Sequence, residues 1–459
     1  MNLAIIIIYF LGMIAVGAVS LRHSQSLSGY LVANRKGGAF VITGSLLATI
    51  LGGSSTMGMA GLGYSWGLVG AWWLLSGVAG MAVLSLWLSR RIRALSVYTL
   101  PEILEKQYGS PAVKIIISAL ISVAWIGIIA GQTIACGKIL SVLWPGNSVA
   151  FIILSGAVFI AYTALGGQYS VIKTDVIQFF IIVAGVAVCV VYGISSAGGL
   201  SRMFLDSPAG HWSFPLSESF GTVKLLTFLF FVGLPYLAGP DIYSRLFSAR
   251  TPEVARRSSA ITALILIPAA FGITLIGMVA RVLLPGISPE NSFPSLAMYI
   301  LPVGLNGLVI AALLAAVMSS ASTCLLTTGT ILTMDVIAPI GGKKLGEGML
   351  LLLSRVMVII AGIIAVLVAI FSEGIISALL LAYTVYSAGV VVPLLLGFYA
   401  RRLRLNQAGA ISAALGGGSL ALALKLAGFN DLILISLPVS AILLFMGSAG
   451  WAVYGRRRG

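Results

Sequence analysis

Apolar stretches of about twenty residues follow one another along nearly the whole chain, each ended by a short charged or Gly/Pro-marked turn. A stretch of that length spans the hydrocarbon of a bilayer as a helix. In lipid, only helices and closed barrels satisfy every backbone N–H and C=O. The repeating pattern therefore predicts an all-α integral membrane protein. Only 8% of the 459 residues are charged, against about a quarter in a soluble domain. The first stretch, residues 1–21, lacks a basic flank and a small-residue cleavage site, and reads as a retained helix.

Thirteen transmembrane helices are expected, at 2–21, 38–63, 67–89, 110–141, 147–165, 171–196, 223–247, 255–284, 295–333, 347–372, 375–400, 406–425 and 429–453. They are called spans 1 to 13 below. The loops after odd-numbered spans hold 22 of the 27 Lys and Arg, Arg245, Lys343, Lys344, Arg457 and Arg458 among them. Lys138, Arg202, Lys224, Arg281 and Lys425 fall on the other side. Basic residues concentrate in cytoplasmic loops, so the N-terminus is expected outside and the C-terminus in the cytoplasm of a multi-pass plasma-membrane protein. The net charge of +15 is then a topology and lipid-headgroup feature, with membrane lipid and not nucleic acid as partner. The cysteines Cys136, Cys189 and Cys324 lie inside spans and show no disulfide or metal spacing. No Cys/His or Ser/His arrangement points to an enzyme. The loop at 197–222, with His211, Trp212 and Pro215, is the longest external one and long enough to fold over a vestibule.

Two spans carry breaks. Span 2 places Gly52-Gly53 before Ser54-Ser55-Thr56, and span 7 places Gly233, Pro235, Gly239 and Pro240 within eight residues. Glycine loosens a helix, and each proline removes a backbone donor. Irregular backbone at membrane depth is tolerated only inside protein or along a cavity, and paired interruptions point to a transporter site. Spans 2–6 and 7–11 are two runs of five, each led by its broken member, and an odd number inverts the second run. The expected units are a peripheral helix and loop at 1–37, a first repeat at 38–196, the external loop at 197–222, a second repeat at 223–400, and two peripheral helices with a basic tail at 401–459. The N–H groups at Gly53–Thr56 suit a carboxylate. Tyr236 supplies an aromatic wall; Trp72 and Trp73 are either a second wall or an interfacial belt.

Span 9 holds the row Ser319, Ser320, Ser322 and Thr323. Residues at i, i+3 and i+4 share a helix face, so Ser319, Ser322 and Thr323 form one stripe with Ser320 at its edge. Hydroxyl and carbonyl oxygens are hard ligands suited to desolvated Na⁺. By itself such a row is more often a packing face for close helix approach. Asp175 sits near the start of span 6. It is either a functional intramembrane acid or a salt-bridge partner of Lys173 or a neighbouring arginine.

These motifs together resemble the sodium:solute symporter family, which shares the inverted-repeat fold of the amino-acid transporter superfamily. The specific stretches are Gly166-Gly167 with Thr174-Asp175 and Gln178; Gly239-Pro240-Asp241 with Arg245, Ser248, Ala249 and Arg250; Ala315–Thr323 running on to Asp335; and Gly58–Gly61 with Gly63-Tyr64-Ser65. The resemblance implies Na⁺ as coupling ion. It implies a shared sodium site from Ala48, Leu51, Ala316, Ser319 and Ser320, and an optional second one from Asp175, Ser319, Ser322 and Thr323. Expected solute-binding residues are Thr49, Gly52, Gly53, Ser54, Ser55, Trp73, Phe231 and Tyr236.

The chain departs from proline-type members at Ile50 and Val232, and from sugar-type members at Leu74 and Gly77. An apolar span 3 leaves sugar hydroxyls unpaired, so a small carboxylate or amino acid is expected instead. The expected activity is Na⁺-coupled symport by alternating access, with the monomer as functional unit. The alternatives are a proton-coupled or uncoupled carrier, a sugar symporter, or a non-transporting sensor.

Overall fold

The computed structural model describes residues 2–144, 146–341, 345–372 and 375–456. Lys343, Lys344, Arg457 and Arg458, used in the charge sorting, lie outside them. Among the described residues the regular structure is helical, with two isolated bridges, Gly37 to Ala249 and Ser217 to Phe220, and no strand. Eleven of the described helices are long and apolar enough to cross a membrane. Two of these are too long for one crossing. Ser148–Ser196 has 49 residues, more than twice the ~30 Å that a bilayer core requires at about 1.5 Å per residue. Gly167 breaks it with φ 54° and ψ −150°, a conformation glycine adopts freely. A Cβ there would lie 2.5 Å from the Tyr30 ring. Ser54–Ala94 is interrupted in the same way at Gly67, with φ 75°.

Local chemistry explains the helix ends. Thr99 and Thr251 cap Leu100–Tyr108 and Pro252–Leu283 by accepting the N–H of Glu102 and Val254. Pro111, Pro240 and Pro252 each open a helix, where the missing N–H loses no bond. Gly109 ends Leu100–Tyr108 in the left-handed region at φ 65°.

Leu305–Ile331 is the centre of the molecule. The apolar window of the segment that contains it is 94% buried in protein, against 33% for Glu347–Ile370. Its small residues, Ala311, Ala312, Ala315, Ala316, Ser319, Ser320 and Ala321, let neighbouring backbones approach closely. Outer helices keep bulky apolar groups such as Ile8, Leu86, Leu264 and Leu367 exposed, as a lipid-facing surface requires.

Both predicted breaks lie in irregular or shortened helix, but not in the same way. Ala39–Ile50 ends at Leu51 with ψ 41°, and helix resumes at Ser54. In span 7, Thr222–Phe231 ends at Val232 and a short helix, Gly233–Ala238, begins directly after it, with Pro235 in its first turn, where the missing N–H loses no hydrogen bond. A second, sharper interruption falls at Gly239, extended at ψ 134°, before Pro240–Ser248. The Tyr386 hydroxyl donates to the Ala238 carbonyl freed there.

Candidate ion and solute site

The hydroxyl row of Leu305–Ile331 meets Asp175 in the protein interior. Ser319 Oγ donates to Asp175 Oδ1 at 2.5 Å, and the Ser45 hydroxyl donates to Oδ2. Arg245 Nη2 pairs with the same Oδ2 at 2.7 Å, and neither side chain is exposed. The guanidinium is used on every nitrogen. Nε donates to Ser45 Oγ and Nη1 to Ser244 Oγ, both at 3.0 Å, while Nη2 also donates to the Thr323 hydroxyl. Thr323 in turn lies 3.1 Å from Thr49 Oγ1 and donates to the Ser319 carbonyl at 2.9 Å. Ser322 Oγ donates to that same carbonyl at 3.1 Å.

Of the two readings open for Asp175, the salt bridge is present. Its partner is neither Lys173, whose ammonium lies over the Tyr169 ring, nor any sequence neighbour. Arg245 was sorted with the cytoplasmic loops, and that assignment is corrected: it is fully buried within Pro240–Ser248. A buried charge needs a partner, so an arginine within six residues of Gly239-Pro240 was the available signal.

The first break packs directly on the row. A Cβ at Gly52 would lie 2.7 Å from the Ser320 Cβ. The last carbonyls of a helix have no partner within it, and here they belong to Ala39–Ile50, which carries Ala48. Ala48, Leu51, Ala316, Ser319 and Ser320 are all buried, and Ser320 lines a small internal cavity. The rest of the lining is Thr49, Ile50, Ser54, Trp125, Ile128, Pro235, Tyr236, Asp241, Ile242, Cys324 and Tyr383. A smaller cavity includes Thr99, Gln168, Ser244, Thr327 and Thr330. Thr49 and Ser244, both tied into the Arg245 network, thus line different cavities.

Among the expected solute residues, Thr49, Ser54 and Tyr236 line the larger cavity. Ser55 Oγ lies 3.4 Å from the Tyr236 hydroxyl. Gly52 and Gly53 stand behind the site rather than on its wall. Trp73 and Phe231 are fully buried elsewhere, Trp73 edge-on to Phe228 at 5.7 Å. The proposed carboxylate cradle is not free as a whole. Gly53 N–H donates to Gln132 Oε1 at 2.8 Å, and Thr56 N–H to the Gly52 carbonyl at 2.9 Å. Sequence reasoning passed over Gln132, Trp125 and Tyr383, and named Asp241 only as part of a motif, with no role at the site. The first three carry no local signal, whereas Asp241 is an acid beside a helix break.

The loop at 197–222 packs over the Gly67 turn. Leu68 N–H donates to the His211 carbonyl at 2.7 Å, Trp72 Nε1 donates to the Pro215 carbonyl at 2.9 Å, and Trp72 stacks on Phe214 at 5.6 Å.

The sodium:solute symporter family profile matches residues 30–417. The chain belongs to this family. Proteins similar to it include the osmoregulated proline transporter OpuE of Bacillus subtilis, 25% identical over 91% of this chain and 88% of that protein. The sodium/glucose cotransporter of Vibrio parahaemolyticus is 28% identical over 87% of this chain and 80% of its own length. Among solved structures, a Na⁺-coupled sialic acid symporter in a substrate-bound outward-open state matches with a TM-score of 0.83, covering 98% of this chain and 97% of that one. At 21% identity that likeness speaks for the fold. Membership makes this chain a multi-pass membrane transporter with sodium as coupling ion.

Proposed function

We propose that this symporter moves a small organic solute into the cell with Na⁺ by alternating access, and is not an enzyme. The observation that carries the reading is the contact of the Gly52 break with Ser320, at the wall of the cavity that Thr49, Ser54 and Tyr236 line. An ion held by the Ala48, Leu51 and Ala316 carbonyls and the Ser319 and Ser320 hydroxyls braces the break. That completes the solute pocket, so ion and solute bind cooperatively. The membrane potential adds about 2.3 kcal/mol per charge per 100 mV to inward movement.

The architecture proposed with it is thirteen spans, obtained by dividing the two overlong helices at Gly67 and Gly167. Spans 2–6 and 7–11 form two inverted repeats, the N-terminus faces outward, and the monomer is the working unit. The units at 1–37, 38–196, 197–222, 223–400 and 401–459 follow from that division.

One Na⁺ per cycle is the stoichiometry proposed. Arg245 already gives Asp175 and Thr323 the cation contact that a second ion would offer, while Ser322 Oγ is turned to its own helix. The test is uptake into proteoliposomes with an inward Na⁺ gradient, wild type against Ser319→Ala and Ser320→Ala. Uptake that keeps the wild-type Na⁺ concentration dependence in both variants removes the shared site from consideration. Uptake driven by a pH gradient without Na⁺ favours a proton-coupled carrier instead.

A further inference from the structure

We infer that the solute carries a positively charged nitrogen, held by the Asp241 carboxylate among the rings of Trp125, Tyr236 and Tyr383. The inference rests on reading the cavity that Thr49, Ser54, Tyr236 and Ser320 line as the solute site. Asp241 is its single ionisable acid, and no Lys, Arg or His lines it. The carboxylate is partly open to that space, and among the described residues it has no ion-pair partner. The nearest guanidinium in sequence, Arg245, is spent on Asp175, Ser45, Ser244 and Thr323. The two carboxylates are thus treated differently: Asp175 is paired directly with Arg245, whereas Asp241 feels that guanidinium only at a distance and lines a cavity.

A carboxylate at membrane depth without a cation is unfavourable. The start of Pro240–Ser248 offers it backbone dipoles but no full charge. A solute ammonium supplies the missing charge, and aromatic faces around it add attraction that grows as water is excluded. A bare carboxylate entering the cavity meets a like charge. A neutral sugar leaves Asp241 unpaired. The hydroxyls of Thr49 and Ser54 remain for the solute's polar or anionic end, so zwitterions fit as well as simple ammonium ions. This narrows the expected class of a small carboxylate or amino acid to its nitrogen-bearing members.

The experiment is thermal unfolding of the purified full-length protein in Na⁺ with matched probe pairs. L-proline is paired with tetrahydrofuroate, its ring-oxygen analogue, and choline with dimethylbutanol, its uncharged carbon isostere. We expect a nitrogen-bearing probe to raise Tm and its isostere to leave it unmoved. Asp241→Asn should weaken that probe roughly tenfold or more, while keeping the shift caused by Na⁺ alone, which shows that the variant is folded. Equal stabilisation by isosteres, or none by either nitrogen-bearing probe, overturns the inference. Loss of the Na⁺-alone shift in Asp241→Asn overturns it too, making Asp241 an ion ligand. Absence of any Na⁺ shift in wild type, or an unchanged Na⁺ concentration dependence of that shift in Ser320→Ala, counts against the parent reading and is scored apart from the probe pairs.

Discussion

Arg245 Nη2 lies 2.7 Å from Asp175 Oδ2, with both side chains at 0% exposure and 70 residues apart in sequence. The pair joins the second broken span to the helix that carries Asp175, and the Ser45, Ser319 and Thr323 hydroxyls bind it to the first broken span and to the central helix.

Removing one member strands the other. Arg245→Gln should lower stability by about 3–5 kcal/mol, the range for breaking a buried pair. Added Na⁺ should restore part of the loss, since the vacated place faces Asp175 and Thr323. Asp175→Asn with Arg245→Gln should recover most of it. Thermal unfolding in Na⁺ and in choline-free K⁺ buffer measures all three; a single variant as stable as wild type would show that the pair contributes nothing.

Ser319 and Ser320 should separate. Ser319→Ala removes a donor from Asp175 as well as a proposed ion ligand, so stability and Na⁺ response fall together. Ser320 faces the cavity, and Ser320→Ala should raise the Na⁺ concentration for half-maximal uptake roughly tenfold with little change in Tm. The Na⁺ dependence of uptake beside a melting curve distinguishes the two.

Tyr386 tests the second break. Its hydroxyl donates to the Ala238 carbonyl, freed where Gly239 turns extended. Tyr386→Phe keeps the ring against Trp125, 4.7 Å away, and leaves that carbonyl buried and unpaired. The expected loss is about 1–3 kcal/mol, read as a lower Tm in detergent. An unchanged Tm would mean that the carbonyl finds another donor.

His211 makes the loop over Gly67 sensitive to acid. Burial first, and Arg281 second, hold its imidazole below the ordinary value of 6.5. With the folded-state value depressed, the neutral ring is the one that packs. Stability is full above about pH 6.5 and falls as pH drops below it, because the unpacked loop takes up the proton first. Limited proteolysis within 207–221 should therefore speed up between neutral pH and about pH 5, and His211→Phe should flatten that dependence. Cleavage independent of pH in wild type would contradict this.

Much of the architecture was legible locally. Hydropathy marks the helices, and Gly52-Gly53 and Gly239-Pro240 mark interruptions where the helix does stop. Gly233 and Pro235 lie in the first turn of a new helix that starts after Val232, while the extended backbone is confined to Gly239, a difference in degree that residue type does not specify. The hydroxyl row was visible too, but its division was not. Ser319 faces Asp175, Ser320 faces the cavity, and Ser322 bonds back to its own helix.

The sequence by itself determined a helical membrane protein, its weak points and the chemistry available at them, since these depend on residue type and short-range backbone rules. Only the tertiary structure decided which charge meets which: Arg245 with Asp175, Gln132 with the Gly53 N–H, and Asp241 with a cavity. The reason is physical. Lipid is as apolar as the protein interior, so a membrane helix carries little polarity contrast to reveal its inward face. Polar partners are chosen by which helices pack together, across separations that no local pattern records.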